Sequence, residues 1–282
     1  MVFKRCIHTE KMHRFLGKAL GSGAQAMVYH AKDTYAKELA ALTDGVFGNR
    51  FVVKVVNYTM YDYDLEGGTV ASDMVHKLSM YQRILDHELA HVIPLVHWMV
   101  FLGESHILDK FNNKIEDVKT IPAGETYLLL TFPVLDGTLA DICHTLPLRH
   151  RRDVCLQMIY IIQALHSIGI SHYDFHPGNV MYSVLPNGDY YVRAIDLDMA
   201  LDIDTDARAY DYKALCFTIS HVLYDKFMIA AEFRQHGELS KCILKLTDDK
   251  NISERERMYQ FAHLGGIFAK TQFTAEELYY ET

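Results

Sequence analysis

A chain of 282 residues, half of them apolar, is long enough to bury a real core as one large domain or two lobes, and its composition is not that of a disordered protein. The formal charge of −8 argues against a protein whose task is to coat nucleic acid or an anionic membrane, because such surfaces need clustered lysine and arginine. Arg149, Arg151 and Arg152 form a local basic run just after Pro147, which reads as the solvated face of a starting helix.

The cysteines, Cys6, Cys143, Cys155, Cys216 and Cys242, are odd in number, scattered and never spaced as Cys-x-x-Cys, a pattern that suits a reducing compartment. The N-terminus carries Lys4, Arg5, Lys11 and Arg14 without a continuous apolar segment, and no later apolar run reaches membrane-spanning length. The expectation is a cytoplasmic protein with no membrane span and no nucleic-acid partner.

In chain order, Leu16 to Lys32 reads as a strand ending near Leu20, a turn at Gly21-Ser22-Gly23 and a second strand from Met27. Glycines at such a tip let backbone N–H groups approach phosphates, although a lone Gly-x-Gly hairpin also serves simply as a turn. Residues 33–50 read as a long link. Phe51 to Val56 is an apolar strand containing Lys54, which must find an anion or, on an edge strand, act as a guard against aggregation. A helix follows from about Thr69 to Leu85, with Asp73 as its only acid.

The next stretch has two readings. His87-Glu88-x-x-His91 followed by His97 carries the ligand spacing of a zinc protease, with two histidines on one helical face and a glutamate as base. Pro94 stands where a turn with positive φ is needed to deliver the third histidine, which favours the alternative: the end of a helix entering a strand. Residues 103–125 are polar and read as an extended hairpin insertion. The strand Tyr127 to Phe132 and a connector from Pro133 to Leu139 follow.

From Arg149 to Gly169 the apolar positions Val154, Met158, Ile161, Ile162 and Leu165 recur at helical spacing. The helix delivers the chain into Ser171-His172-Tyr173-Asp174-Phe175-His176-Pro177-Gly178-Asn179. A hairpin with a Pro-Asn-Gly-Asp turn at 186–189 then leads to Asp196-Leu197-Asp198. Asp, Pro, Gly and Asn are all turn residues, so the bland reading of Asp174 to Asn179 is a turn before a strand. The chemical reading is phosphoryl transfer, in which one Asp orients an acceptor hydroxyl and an Asn and a later Asp hold Mg²⁺. Asp198, Asp202, Asp204 and Asp206 form either a solvated acidic loop or a patch for a cationic substrate. Thr218 to Thr282 reads as a compact helical region.

These residues resemble the protein-kinase-like superfamily. His172, Asp174 and Asn179 stand in register with its catalytic loop, with Tyr173 in place of an Arg, and Asp196-Leu197-Asp198 stands where its metal loop reads Asp-Phe-Gly. The resemblance implies an α+β, bilobal fold: a small antiparallel-sheet lobe over residues 1–132 and a larger helical lobe over 133–282. It further implies an ATP- and Mg²⁺-dependent phosphotransferase. Gly21, Ser22, Gly23 and Lys54 would serve the phosphates and Val28 the adenine, with Asp73 as partner of Lys54. Backbone groups near Thr131, Phe132 and Val134 would meet the adenine edge. Asp174 and His176 would be catalytic; Asn179, Asp196 and Asp198 would hold metal, and Asp211 would anchor the catalytic loop.

A helix beginning near Asp211, only fifteen residues after Asp196, leaves no room for a regulated activation segment, and Ala26 replaces the third glycine of the family's loop. The leading expectation is a compact Ser/Thr protein kinase, with an activating protein partner admitted. Asp174-x-His176-Pro177-Gly178-Asn179 also resembles the aminoglycoside and choline kinase branch, which would make the acceptor a small hydroxyl-bearing molecule. A pseudokinase that keeps the fold without turnover is the third alternative.

Overall fold

The computed structural model describes residues 12–22, 26–58, 70–103, 105–110, 113–120, 125–224, 237–247 and 252–269. Gly23 and Cys6 lie outside them. The protein is α+β, an N-terminal six-stranded antiparallel sheet followed by a largely helical C-terminal region. It divides into two compact units: Met1–Asp86 with Ile93–Val134, and His87–Val92 with Leu135–Thr282.

In the first unit, strands β1 (Leu16–Ser22), β2 (Ala26–Ala31), β3 (Phe51–Asn57), β4 (His97–Leu102), β5 (Ser105–Asp109) and β6 (Thr126–Pro133) form a sheet in the order β1-β2-β3-β6-β4-β5. The β-branched run of β3 and the wholly buried β6 lie side by side in the interior, because a strand covered on both faces needs a continuous apolar sequence. One face carries Phe51, Val53 and Val55 and packs on Tyr35, Ala36 and Leu39 of helix α1 (Asp33–Leu42). Across the strands, Val28 pairs with Lys54 and Lys54 with Leu130, so the three side chains share the opposite face. Phe132 lies on that face too, and its ring meets Tyr81 of α2 (Val70–Asp86) at 5.4 Å.

One expectation is corrected here and one, the hairpin insertion at 103–125, is extended. Residues 33–50 are not a bare link, since 33–42 form α1. Lys32 at its N-cap has no side-chain oxygen for the first amides, so the usual start signal is missing, and burial of one face holds the helix instead. The stretch 103–125 contains β5 and a 3₁₀ turn, Ile115–Thr120, that packs beside α2 and buries Val118 completely.

In the second unit, helix α4 (Leu148–Ser167) buries Val154, Met158, Ile161, Ile162 and Leu165, the positions its periodicity predicts. Around it lie α5 (Thr205–Tyr224), α6 (Gly237–Thr247) and α7 (Glu254–Ala269). Strand β7 (Gly137–Thr138) leads into the one-turn helix α3 (Leu139–Ile142). Strands β8 (Ile170–Ser171), β9 (Val180–Val184), β10 (Tyr190–Ala194) and β11 (Leu201–Asp202) form two small sheets with β7, in the orders β10-β9-β7 and β11-β8. Segment 87–92 docks on β10: the Ala194 N–H donates to the His91 carbonyl at 2.9 Å, and Tyr191 stacks on His91 with centroids 4.6 Å apart.

Of the basic run at the start of α4, Arg149 is exposed, whereas Arg151 and Arg152 are structural. Arg151 Nη1 donates to the Leu223 carbonyl in the last turn of α5 at 2.8 Å, and Arg152 Nε to the Phe268 carbonyl in the last turn of α7 at 3.0 Å. Each guanidinium thus meets the negative end of another helix, satisfying a carbonyl with no intrahelical donor.

Cys143, Cys155, Cys216 and Cys242 are buried free thiols; burial pushes Cys155 and Cys216 well up and Cys242 to about 12, which keeps them protonated. Among the described residues no helix is long and apolar enough to cross a membrane.

Candidate functional site

The loop from His172 to Asn179 is held at three places. At its entry, Asp211 on α5 is completely buried and accepts the N–H of His172 at 2.9 Å and of Tyr173 at 2.8 Å, while His166 Nε2 lies 2.8 Å from the same carboxylate. Tyr173 sits at φ 60°, a left-handed conformation that costs a non-glycine residue about 1 kcal/mol. Asp211 therefore fixes a strained backbone one residue before Asp174. The sequence places a helix start near Asp211; α5 in fact begins at Thr205, where Asp204 Oδ1 accepts the Ala207 N–H at 2.7 Å as an N-cap.

The second hold is His172. Its buried Nε2 lies 3.0 Å from the Ile195 carbonyl, and burial lowers its pKa although Asp211 opposes the shift. A neutral ring with its proton on Nε2 donates there and ties the loop to the residue before Asp196. The third hold is at the exit. The Ile195 N–H donates to the Asn179 carbonyl at 2.9 Å, which sets Asp196 next in the chain at left-handed φ 60°, ψ 72°.

Inside this frame Asn179 Nδ2 donates to both the carbonyl and the carboxylate of Asp174, at 3.0 and 2.9 Å. That assignment turns the amide oxygen away from Asp174, leaving an oxygen ligand beside the half-exposed carboxylate. Asn179 is buried, whereas the Asp174 side chain retains 48 % of its exposure. The arrangement can orient an alcohol and accept its proton at Asp174. Asn179 and Asp196 offer only oxygen donors, the chemistry a hard divalent cation such as Mg²⁺ prefers. Asp198 follows on the 3₁₀ turn Leu197–Met199.

His176 stands beside Asp174. Its Nδ1 accepts the Gly178 N–H at 3.1 Å, and its Nε2 faces Asp174 at 3.7 Å. Gly178 is required for this cap, because a Cβ there would lie 2.8 Å from the His176 ring.

The sequence did not single out the wall facing this loop. Tyr210, Lys213, Ala214 and Phe217 recur at i, i+3, i+4 and i+7 on α5 and line, with Asp174, Phe175 and His176, a cleft of about 390 Å³. Tyr210 stacks on Tyr173 with ring centroids 4.5 Å apart. The helical spacing was the available signal, but it looks the same for a core-facing stripe.

In the first unit, Gly21 pairs with Val28 and Ser22 with Met27 at the end of the β1–β2 hairpin nearest the link between the strands. Lys54 lies on a central strand between β2 and β6, so the edge-strand reading does not apply. Asp73 is engaged by its own helix and its neighbour: its Oδ2 accepts from Lys77 at 2.9 Å and from Tyr58 at 2.7 Å. The four-residue spacing on one helix face makes Lys77 an ion-pair partner of Asp73, the acid read from the sequence as the partner of Lys54. The backbone groups assigned to an adenine edge are also largely spent. Thr131 accepts the Val96 N–H with its carbonyl and lies 3.0 Å from Tyr35 with its hydroxyl, and the Val134 N–H donates to Arg50. Phe132 is buried against Tyr81.

The zinc reading fails on local geometry. Helix α2 stops at Asp86, and Glu88 has φ 51°, so His87, Glu88 and His91 share no helical face. His91 Nδ1 lies 3.1 Å from the Val192 carbonyl, and His97 Nδ1 lies 2.7 Å from the Tyr35 hydroxyl. Among the described residues no group of three His, Cys, Asp or Glu side chains is gathered to hold a metal.

No protein-family model matches the chain, and no curated protein is significantly similar to it.

Proposed function

We propose that the protein is a kinase-like phosphotransferase that moves the γ-phosphate of ATP, with Mg²⁺, onto a hydroxyl group. The observation that carries this reading is the paired hydrogen bonding of Asn179 to Asp174 on a loop whose backbone is clamped by Asp211. Asp174 holds the acceptor hydroxyl and takes up its proton, and Asn179 keeps that carboxylate oriented. Asn179 and Asp196 are the residues that would hold Mg²⁺, which supplies charge neutralisation for the phosphates. Gly21 and Lys54 would serve the nucleotide's phosphates, with Val28 on the same sheet face as Lys54.

The leading acceptor is the hydroxyl of a protein serine or threonine. A small hydroxyl-bearing molecule is the second reading, favoured by the shortness of the segment from Asp196 to Thr205, which offers no platform for a peptide. Incubation with γ-labelled ATP and Mg²⁺, against a protein mixture and against small alcohols, tests both. Label should pass to one class and vanish in Asp174→Ala. Absence of transfer to either class by the parent protein would overturn the proposal.

A further inference from the structure

The acceptor itself leaves a chemical signature in the cleft beside Asp174. This cleft runs from Asp174 and His176 along α5, and neither Asn179, Asp196 nor Asp198 lines it. Its occupant therefore meets Asp174 at a surface that the residues assigned to metal do not line. On the reading above, which this inference rests on, that surface belongs to the acceptor.

Among the described residues the charges along the cleft are few. His176 Nδ1 accepts from Gly178. The charged side chains among the described lining residues are Asp174, engaged with the acceptor hydroxyl in this reading, and Lys213. The floor is apolar at Phe175 and Phe217, and the Tyr210–Tyr173 stack forms one wall. The acidic segment that suggested an amine-bearing substrate does not line the cleft. Asp204 is spent as the N-cap of α5, Asp202 lies on β11 paired with β8, and neither they nor Asp206 line the cleft.

We infer that Lys213 is a specificity-determining residue that selects an acceptor whose hydroxyl lies close to a carboxylate or phosphate. A cation in a half-enclosed, partly apolar cleft attracts such a group more strongly than it would in open water, and it repels an ammonium in the same place. A cleft of about 390 Å³ accommodates a small hydroxy acid or one side chain with part of its neighbour. The acidic group can thus belong to a free metabolite-sized acid or to a residue next to a serine.

Two pairs of acceptors separate these sources: glycerate against 3-amino-1,2-propanediol, and a serine peptide flanked by glutamates against the same peptide flanked by lysines. Each is measured with the full chain for transfer from MgATP and, by calorimetry without nucleotide, for binding. A charge-assisted contact predicts a preference of about tenfold or more for the anionic member of one pair. Lys213→Gln should abolish that preference and Lys213→Glu should reverse it. The pair that shows the effect identifies the source. A binding preference that persists without any transfer supports the role of Lys213 while refuting phosphotransfer. Equal use of both members, preference for the amine, binding of neither, or a preference unchanged in Lys213→Gln overturns the inference.

Discussion

The Asp211 carboxylate accepts the Tyr173 N–H at 2.8 Å, so a buried acid on α5 sets the backbone of the residue that precedes Asp174. Removing it leaves the His172 and Tyr173 amides and the His166 ring without their acceptor in a dry site. Asp211→Ala should lower the unfolding free energy by about 3–5 kcal/mol, the usual cost of stripping one partner from a buried charged network. Asp211→Asn turns one acceptor oxygen into a donor and should fall between the two. Denaturant titration reads the difference, and stability within 0.5 kcal/mol of the parent would show that the clamp carries no weight.

Asp174 and Asp196 should separate in their effects. Asp174→Ala removes the group that addresses the alcohol, so transfer should be lost while Mg²⁺-nucleotide binding persists. Asp196→Ala removes a metal ligand, so both should weaken. Thermal shift with ATP, with and without Mg²⁺, reads binding, and labelled ATP reads transfer. Identical profiles for the two variants would sink the division of roles.

Arg151 and Arg152 should matter for stability despite their place in a basic run. Each donates to the terminal carbonyl of another helix from a partly buried position. Arg151→Ala and Arg152→Ala should each cost about 1–2 kcal/mol by thermal denaturation. The cost should persist at high salt, because partly buried contacts are poorly screened. A loss that disappears in 1 M salt would return both residues to the category of surface charge.

The first unit should weaken in acid through His97. Burial lowers the pKa of this ring from 6.5 to about 4, against an opposing pull from Asp109. Below 6.5 the unfolded chain takes up a proton that the folded ring refuses. Stability is therefore complete above about 6.5, falls as the pH drops towards 4 and levels off below that. The full effect is on the order of 3 kcal/mol. His172 of the second unit, lowered by burial as well, shifts that unit's stability in the same direction. His97→Gln should flatten the decline between those limits in denaturant titrations, and an unchanged slope would refute the assignment.

Much of the site was legible because its residues are close in the chain. Asp174, His176, Gly178 and Asn179 lie within one loop, where hydrogen-bonding range is set by chain length, and the hairpin 180–195 returns Asp196 to the loop with little freedom. The Asp211 anchor was anticipated only through the kinase-like resemblance; the helix start read near it lies in fact at Thr205. That the His176 ring caps the Gly178 amide was not legible, because no spacing rule supplies that contact.

By itself the sequence determined the elements with strong periodicity: the β3 and β6 runs, the buried stripe of α4 and the loop leading to Asp196. Those follow from local stereochemistry and from burying one face. The tertiary structure alone decided partners between distant positions: Lys77 and Tyr58 for Asp73, helix ends for Arg151 and Arg152, and the α5 wall carrying Tyr210 and Lys213. A charged side chain does not encode which of several distant carbonyls or acids it will reach, because that choice is made only when the packed helices and strands bring one of them within hydrogen-bonding range.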